Sequence, residues 1–303
     1  MMTPSRPGLK LSVVIAAWNG RQALERCLES LRDECPAPDI EIIAATNFDS
    51  GTAELLAKRF PFVIHLAMPS GTTVPILRTA GIVRAAGEII ALAEDHCTFG
   101  NGWCAEIKKA HLLPYSAIGG PVENAAVDRA VDWAVYFYDY GKYMLPIKQG
   151  AAKALSGNNA SYKREILAAV EPSFCEGFFE PFTHGEIEKQ GQGLFLIPSA
   201  IVYNQKNHKL SDAFAQCFHL ARGYAAKRVK EASTIQRGIL LSGSVILPAL
   251  LTWRIVKQTV DRGRHISDLA RALPALVLLL SSWSGGEFCG YLAGEGASAG
   301  KWK

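Results

Sequence analysis

Three polar residues in a row follow a short apolar run and could bind a metal ion. Glu94, Asp95 and His96 come directly after residues 88–93, which have the pattern of a buried strand. Carboxylate oxygens are the ligands that hard divalent cations prefer, and such a cation can bridge the two phosphates of a diphosphate. The triplet therefore predicts a cation site at a strand end, with a solvated loop as the alternative.

Further polar residues stand where other apolar runs end. Asn19 follows the first apolar run, and Thr46 and Asn47 follow the second. A separate polar segment, Ser-Gly-Asn-Asn-Ala-Ser-Tyr, occupies residues 156–162. Amide and hydroxyl side chains in such places can bind a ligand, or they can satisfy the backbone of their own turn.

An alternation of strands and helices would bring these residues together. The predicted elements are a strand at 11–18, a helix at 23–31, a strand at 40–45, a helix after Gly51, a strand at 62–66, a helix at 74–86 and a strand at 88–93. Strands that alternate with helices form parallel β-α-β units, with the helices on the faces of the sheet. Ligands bind at the carboxyl edge of such a sheet, so we expect the polar residues to meet there.

Beyond residue 100 the alternation is looser. The pattern predicts helices at 103–112, 127–140 and 178–190, a strand at 117–119, and a pair of strands at 194–197 and 200–203. We expect this last pair to close the catalytic region.

Composition and charge narrow the class of protein. The chain has 303 residues, of which 49% are hydrophobic and 20% are charged, and this excludes a disordered chain. Residues 1–205 carry 18 Lys and Arg against 22 Asp and Glu, whereas residues 206–271 carry 12 against 4. The basic segment predicts an anionic partner, either a membrane surface or a nucleic acid.

The last third of the chain contains two apolar blocks. Residues 210–230 have the pattern of a basic amphipathic helix, residues 238–253 carry no charge, and residues 272–294 carry only Glu287. A spanning helix needs about 20 apolar residues, so the first block is short and the second is long enough. Because Lys and Arg concentrate between the blocks, we expect a hairpin that enters a membrane from the cytoplasmic side. Two buried helices of a soluble core are the alternative.

In their order and spacing, the motifs resemble the family 2 glycosyltransferases, which have the GT-A fold. The matching segments are SVVIAAWN at 12–19, EII at 41–43, DSGT at 49–52, RTAG at 78–81, GEIIALAEDH at 87–96, GGPV at 119–122, GNNASYKR at 157–164, FE at 179–180 and QG at 190–191. The C-terminal blocks, with WSGGEFCGY at 283–291, resemble the membrane-associated branch of that family. The resemblance covers roughly residues 9–294.

This resemblance implies an α/β fold, a Rossmann-like mixed sheet flanked by helices, followed by apolar C-terminal helices. It also implies transfer of a sugar, with inversion, from a UDP-, GDP- or dTDP-sugar to a hydroxyl group, with Mg²⁺ or Mn²⁺ as cofactor. Asp95 stands at the position of the family's metal-binding acid, and His96 follows it. The residues that we expect to bind the donor are Ala17, Asn19, Thr46, Asn47, Arg78 and Glu94.

Two positions depart from the family pattern. Ala93 replaces the first acid of the DxD motif, and Thr46 and Asn47 stand where the family has a nucleoside-binding Asp, with Asp49 nearby. These departures keep a second hypothesis open, namely a GT-A module of a polysaccharide assembly complex that binds sugar nucleotides without turning them over.

The resemblance implies a catalytic base on a helix near residue 180. The family carries this acid in a Glu-Asp pair about eleven residues before a Gly that ends the helix. Counting back from Gly191 gives Glu180, with Phe179 in place of the preceding acid. An inverting transfer needs such a carboxylate to take the proton of the acceptor hydroxyl. His184, one turn later, could orient Glu180 or the leaving phosphate. Glu186 and Glu188 are competing carboxylates on the same helix.

Two sets of residues could contact the acceptor. Asn158 and Asn159 match the family's acceptor-side loop, where their amides could hold the acceptor, support Glu180 or satisfy their own turn. The aromatic residues of the helix at 127–140 could stack on a sugar ring, although aromatic side chains at helical spacing more often belong to a core.

We therefore expect a GT-A catalytic domain at 1–205, a basic amphipathic segment at 206–237 and a membrane-associated hairpin and tail at 238–303. The expected acceptor is a saccharide or a lipid-linked hydroxyl, in surface polysaccharide or glycolipid synthesis at the cytoplasmic face of the inner (plasma) membrane. No nucleic-acid partner is expected, because the basic segment leads into apolar blocks. A nicotinamide-binding fold is not expected either, since no GxGxxG turn follows the first strand.

Overall fold

The computed structural model describes residues 2–34, 37–48, 51–230, 232–298 and 301. The chain divides into two compact units, one made of residues 1–123 and 143–205, the other of residues 124–142 and 206–303. The first unit is α/β and the second is helical.

The elements, in chain order, are β1 (Leu11–Ala17), α1 (Arg21–Glu29), β2 (Ile40–Thr46), α2 (Gly51–Arg59), β3 (Val63–Ala67), α3 (Val74–Arg84), β4 (Ile89–Glu94), β5 (Cys97–Phe99), α4 (Trp103–Ala110), β6 (Ala117–Gly119), β7 (Val122–Asn124), α5 (Ala130–Asp139), β8 (Gly150–Ala152), β9 (Ala160–Lys163), α6 (Arg164–Ala169), α7 (Glu180–Lys189), β10 (Leu194–Leu196), β11 (Val202–Asn204), α8 (Leu210–Arg228), α9 (Thr234–Ser244), α10 (Leu247–Arg262) and α11 (Ile266–Ala293). The strands and helices predicted for residues 11–93 all occur, within a few residues of the predicted ends.

A mixed sheet of eight strands organises the first unit. Its order is β3-β2-β1-β4-β9-β6-β10-β8, and β1 to β4 pair with one another in parallel. β9 runs antiparallel between β4 and β6. A smaller sheet has the order β5-β11-β7. The predicted α/β fold with a mixed sheet flanked by helices is confirmed.

Both faces of the central strands are covered: six of the seven residues of β1 are apolar, and the whole strand is buried. Leu11, Val13 and Ile15 join one hydrophobic cluster and Val14 joins the cluster on the opposite face. On that second face α3 lies very close to β1: a Cβ on Gly81 would be 2.2 Å from Val14 Cγ1. Glycine at this position therefore sets how near α3 can come to the sheet.

The strand pair expected at 194–197 and 200–203 is not a pair. β10 lies between β6 and β8 in the large sheet, whereas β11 pairs with β5 in the small one. Pro198 lies in the connection and has no backbone N–H to donate to a ladder. The two strands therefore belong to different sheets instead of forming a hairpin.

Residues 124–142, which we expected within a catalytic domain of residues 1–205, belong to the helical unit. Helix α5 packs against α11. Trp133, Tyr136 and Phe137 are almost completely buried, and the rings of Trp133 and Phe137 stack at 5.5 Å. These three aromatic residues are therefore core residues of the helical unit and have no surface for a sugar ring.

The two apolar blocks have different structures. The first, 238–253, is broken where α9 ends at Ser244 and α10 begins at Leu247, with a bend of 64°. Pro248 in the first turn of α10 suits a helix start and could not continue α9 without losing a hydrogen bond. The second block lies in α11, and among the described residues this is the one helix long and apolar enough to cross a membrane by itself.

His111 gives the fold a measurable pH dependence. It ends α4, and its Nε2 lies 2.8 Å from Ser161 Oγ. Burial, with a smaller contribution from the charge of Lys163, lowers the pKa of His111 from 6.5 to about 3. Because the folded pKa lies below the unfolded value, this histidine stabilises the fold above pH 6.5, and the stabilisation is lost as the pH falls below that value.

We predict that between pH 7 and pH 5 the wild type loses about 2 kcal/mol of unfolding free energy that a His111→Gln variant does not lose. Glutamine keeps a polar partner for Ser161 but does not titrate. Urea unfolding of both proteins at the two pH values measures the difference. An identical pH dependence in the two proteins would show that His111 does not titrate in this way.

Candidate active site

The carboxyl ends of β1, β2 and β4 lie side by side at one edge of the large sheet. Ala17 pairs with Thr46, and Ala16 pairs with Glu94. The residues that follow these strands therefore meet at this edge, as the sequence predicts for a ligand site. Ala17 itself is fully buried in the core, so its side chain is not part of the site surface.

Asp95 binds the loop that follows β1. Its Oδ2 accepts hydrogen bonds from the backbone N–H groups of Trp18 at 3.0 Å and Asn19 at 2.7 Å, and its Oδ1 accepts one from Asn19 Nδ2 at 2.6 Å. The residue is 1% exposed. Burial raises the pKa of Asp95 to about 6, although the bonds from Asn19 act in the opposite direction. The carboxylate thus fixes the position of Trp18 and Asn19.

Arg78 joins two carboxylates that are far apart in the sequence. Its Nη2 donates to Glu94 Oε1 at 2.5 Å, and its Nη1 donates to Glu180 Oε1. The side chains of Arg78, Glu94 and Glu180 are 8%, 12% and 19% exposed. His96 lies beside them, with its Nδ1 3.4 Å from Glu94 Oε2. This cluster combines a positive group that suits phosphate oxygens with a partly accessible carboxylate.

Local structure places Glu180 opposite Arg78. Glu180 is the first residue of α7, where a negative charge is favoured by the helix dipole. The chain just before α7 is tied to the start of α3, since Phe178 N–H donates to the carbonyl of Pro75 at 2.9 Å. Arg78 lies on the next turn of α3, so the two side chains meet.

His184 contacts a tyrosine that the sequence analysis did not select. Its ring is buried, and its Nε2 lies 2.8 Å from the hydroxyl of Tyr162. Burial and the charge of Glu180 raise the pKa of Tyr162, and the same two causes raise the pKa of Tyr143. Both tyrosines therefore lie near Glu180. Tyr162 belongs to the segment GNNASYKR, and the match of that segment to the family pattern is the sequence feature that could have indicated this tyrosine.

The other carboxylates of α7 lie on its outer face. Glu186 is paired with Lys189 at 2.7 Å, and Glu188 is exposed. Of the three candidate bases, Glu180 is the one that the structure brings to Arg78 and Glu94.

The amides of Asn158 and Asn159 are buried in the protein. Asn159 Oδ1 accepts from Trp103 Nε1 at 3.0 Å, and its Nδ2 donates to the carbonyls of Pro121 and Ala200, both at 2.8 Å. Asn159 is 0% exposed and Asn158 is 1% exposed. These contacts hold strands and loops together, and they do not support the acceptor contact that we expected here.

The residues that follow β2 are also engaged within the protein. Thr46 Oγ1 lies 2.9 Å from His65 Nε2 on β3, and Asn47 Nδ2 donates to the carbonyl of Thr72 at 2.6 Å. Asn47 therefore ties this turn to the loop before α3. Asp49 lies outside the described residues.

The expected metal ligands do not form a ready cation site. In the described part of the chain no three His, Cys, Asp or Glu side chains are placed to hold a metal ion. Both oxygens of Asp95 accept hydrogen bonds from N–H groups, and Glu94 accepts one from Arg78. This donor set does not fit a divalent cation as it stands, and Arg78 supplies the positive charge at Glu94.

Comparison with known proteins agrees with this architecture. The sequence model of the family described as "Glycosyl transferase family 2" matches residues 12–170, more than half of the chain. The match includes Arg78, Glu94 and Asp95 but ends before Glu180. No curated protein matches the chain.

A solved structure shows the same fold. The chain is similar to the mannosyltransferase PcManGT from Pyrobaculum calidifontis, solved in complex with GDP-Man and Mn²⁺, with 15% identity and a TM-score of 0.55 over 94% of this chain and 89% of that one. At this identity the likeness concerns the GT-A fold. Because the family model matches more than half of its residues, the chain belongs to glycosyl transferase family 2.

Proposed function

We propose that the protein is an active glycosyltransferase that moves a sugar, with inversion, from a nucleotide-diphospho-sugar to a hydroxyl group. The observation that carries this proposal is the cluster at the sheet edge, where one buried guanidinium contacts Glu94 on β4 and Glu180 on α7. The transfer needs a positive group that binds the diphosphate and a carboxylate that accepts a proton, and the cluster contains both.

Arg78 is the proposed contact for the diphosphate. A guanidinium presents several N–H donors in one plane and binds phosphate oxygens well. Asn19, held by Asp95 through its amide nitrogen, stands at the same edge, and its amide oxygen is the proposed contact for the nucleoside. The GDP-mannose bound to the similar mannosyltransferase supports a nucleotide-sugar donor here.

Glu180 is the proposed base. Its carboxylate takes the proton of the acceptor hydroxyl while the hydroxyl oxygen forms a bond to the anomeric carbon. The bond from that carbon to the diphosphate breaks on the opposite face, and its electron pair leaves with the diphosphate. Arg78 stabilises the negative charge that develops on the leaving group.

The proposal is tested by a donor screen. UDP-, GDP- and dTDP-linked hexoses are added to the full chain with Mn²⁺, with Mg²⁺ or with a chelator, and the melting temperature is measured. A donor at 100 times its Kd should stabilise the protein by about 2.7 kcal/mol. Release of the nucleoside diphosphate is then measured with the donor that binds. Binding of no member of the panel would contradict the proposal.

The second hypothesis, a GT-A module without turnover, is tested by the same screen. It is favoured by Ala93, which is buried in β4 where the family has an acid, and by the engagement of Asp95 with the β1 loop. A donor that stabilises the protein but is neither transferred nor hydrolysed would select this second function.

We predict that Glu180→Gln retains donor binding and loses transfer by about 10²–10⁴-fold, because the amide keeps the shape of the side chain but cannot accept the proton. Glu186→Gln is the matched control, since Glu186 pairs with Lys189 on the surface. Thermal shift measures donor binding, and release of the nucleoside diphosphate in the presence of acceptor measures transfer. Loss of transfer in the Glu186 variant instead would move the base along α7.

The family and the similar mannosyltransferase, which was solved with Mn²⁺, favour a divalent cation, whereas both oxygens of Asp95 are already bonded to N–H groups. Asp95 is either a structural acceptor for the β1 loop or a metal ligand, and one variant distinguishes these two roles. We predict that Asp95→Ala destabilises the protein by about 1–3 kcal/mol without metal or donor, because buried N–H groups lose their acceptor. Chemical unfolding in a chelating buffer measures this. A variant with unchanged stability that has lost Mn²⁺-dependent binding of GDP-mannose would instead identify Asp95 as a metal ligand.

We propose that the acceptor is a saccharide or a lipid-linked hydroxyl, in surface polysaccharide or glycolipid synthesis. For the helical unit we propose binding to an anionic membrane at the cytoplasmic face. Helices α9 and α10 and the bend between them expose large apolar side chains, among them Ile235, Ile239, Val245, Ile246 and Trp253. The two helices also carry four basic residues and one acid. An apolar face with basic flanks is typical of helices that lie in a membrane interface.

We predict that Ile239→Asp weakens binding to vesicles of phosphatidylglycerol and phosphatidylcholine, measured by flotation of the full chain. Leu112→Asp is the control, because Leu112 is a large apolar side chain that is 86% exposed in the α/β unit. Equal binding of both variants and the wild type would contradict a membrane contact at α9. Truncation after residue 230 is not a suitable test, because it would remove α11 from its contact with α5.

A further inference from the structure

Gly157 lies against the carboxylate of Glu180, and no side chain fits between them. A Cβ on residue 157 would lie 1.4 Å from Glu180 Oε1 and 2.7 Å from Arg78 Nη2, whereas real Cβ atoms essentially never come within 3.0 Å of another heavy atom. The carboxylate and the guanidinium therefore occupy space that the side chain of any other residue would need.

Backbone conformation does not explain this glycine. Gly157 is not one of the glycines of the chain that have a positive φ, so its backbone conformation is open to other residues. Residue 157 must lack a side chain because the Glu180 carboxylate and the Arg78 guanidinium fill the space beside it.

The turn that contains Gly157 is held in place on both sides. Asn159 N–H closes the turn onto the carbonyl of Ser156 at 3.0 Å, and Ser156 Oγ donates to Asn158 Oδ1 at 2.6 Å. Asn158 Nδ2 contacts Cys97 Sγ at 3.4 Å, and the amide of Asn159 is bonded on both its oxygen and its nitrogen. An atom added at residue 157 would thus be attached to a fixed turn, and it would meet the side chain of Glu180, which can rotate, and the guanidinium of Arg78, which Glu94 holds.

We infer that Gly157 is a positioning residue for Glu180. The missing side chain lets the carboxylate reach Arg78, and the fixed turn sets the depth at which the carboxylate faces the donor. The inference rests on the proposed role of Glu180 as base. It also gives the buried amides of Asn158 and Asn159 a purpose at the site: they hold the surface against which the base is placed.

The effect of a substitution follows from which group can move. In Gly157→Ala the end of the Glu180 side chain rotates away, because this motion costs less than moving a hydrogen-bonded turn. The fold is retained and the base is displaced. A displacement of about 1 Å at a reacting group can reduce turnover about 10²-fold, and we expect a loss of that size in kcat.

The experiment compares Gly157→Ala with Gly185→Ala in the full chain. Gly185 lies on α7, the helix of Glu180, and a Cβ there meets no atom within 4 Å. UDP-, GDP- and dTDP-hexoses serve as probes, and the readouts are the unfolding free energy, the donor-induced shift in melting temperature and kcat. We expect Gly157→Ala to lose kcat and some unfolding free energy, because Glu180 leaves Arg78, but to retain the donor-induced shift, and Gly185→Ala to keep all three readouts. Wild-type kcat in Gly157→Ala would overturn the inference.

Two further variants separate positioning from a general structural effect. In a Glu180→Gln background, Gly157→Ala should cause no further loss of transfer, because the group on which it acts is already gone. A further loss of about 10²-fold in that background would show that Gly157 acts elsewhere, and the inference would be wrong. Glu180→Asp withdraws the carboxylate without adding an atom at Gly157, and it should also lose kcat. Full activity of this variant would contradict dependence on position, even if Gly157→Ala did not fold.

Failure of the proposed function has a different signature. If Glu180→Gln itself transfers at the wild-type rate, Glu180 is not the base and the proposal for the reaction fails. If Glu180→Gln is inactive and Gly157→Ala is fully active, only the positioning role is wrong.

Discussion

The contact on which the rest of the site depends is the ion bridge from the guanidinium of Arg78 to the carboxylates of Glu94 and Glu180. All three groups are largely removed from water, and an unpaired charge in such a buried position is costly. Breaking a buried ion pair by removing one partner typically costs about 3–5 kcal/mol. The bridge therefore keeps the end of β4, the helix α3 and the start of α7 together before any donor arrives.

Close packing at glycine positions makes this bridge possible. Gly81 allows α3 to lie against Val14 of β1, which places Arg78 over the sheet edge, and Gly157 leaves room for the carboxylate of Glu180. The buried Asp95 fixes the loop after β1 at the same edge. A donor diphosphate that binds Arg78 would compete with Glu180 for the guanidinium. Binding of the donor would thus change the contact between Arg78 and the proposed base.

The sequence predicted the α/β sheet because apolar runs and helical spacing alternate through residue 93, and this pattern is local. It also selected Arg78, Glu94 and Glu180, which the structure joins. It did not reveal that Asp95 binds backbone N–H groups, because residue type does not show which atoms a carboxylate meets. For the same reason the buried aromatic residues of α5 gave no indication that their partners lie far along the chain, in α11. The role of Gly157 depends on the position of Glu180 in space, which the residue types do not show.

The most direct test of this account is a crystal structure of the protein with a bound nucleotide sugar. We expect diphosphate oxygens within hydrogen-bonding distance of the Arg78 guanidinium. We also expect the Glu180 carboxylate on the side of the anomeric carbon opposite the leaving diphosphate. A diphosphate bound away from Arg78, with the bridge to Glu94 and Glu180 unchanged, would contradict it.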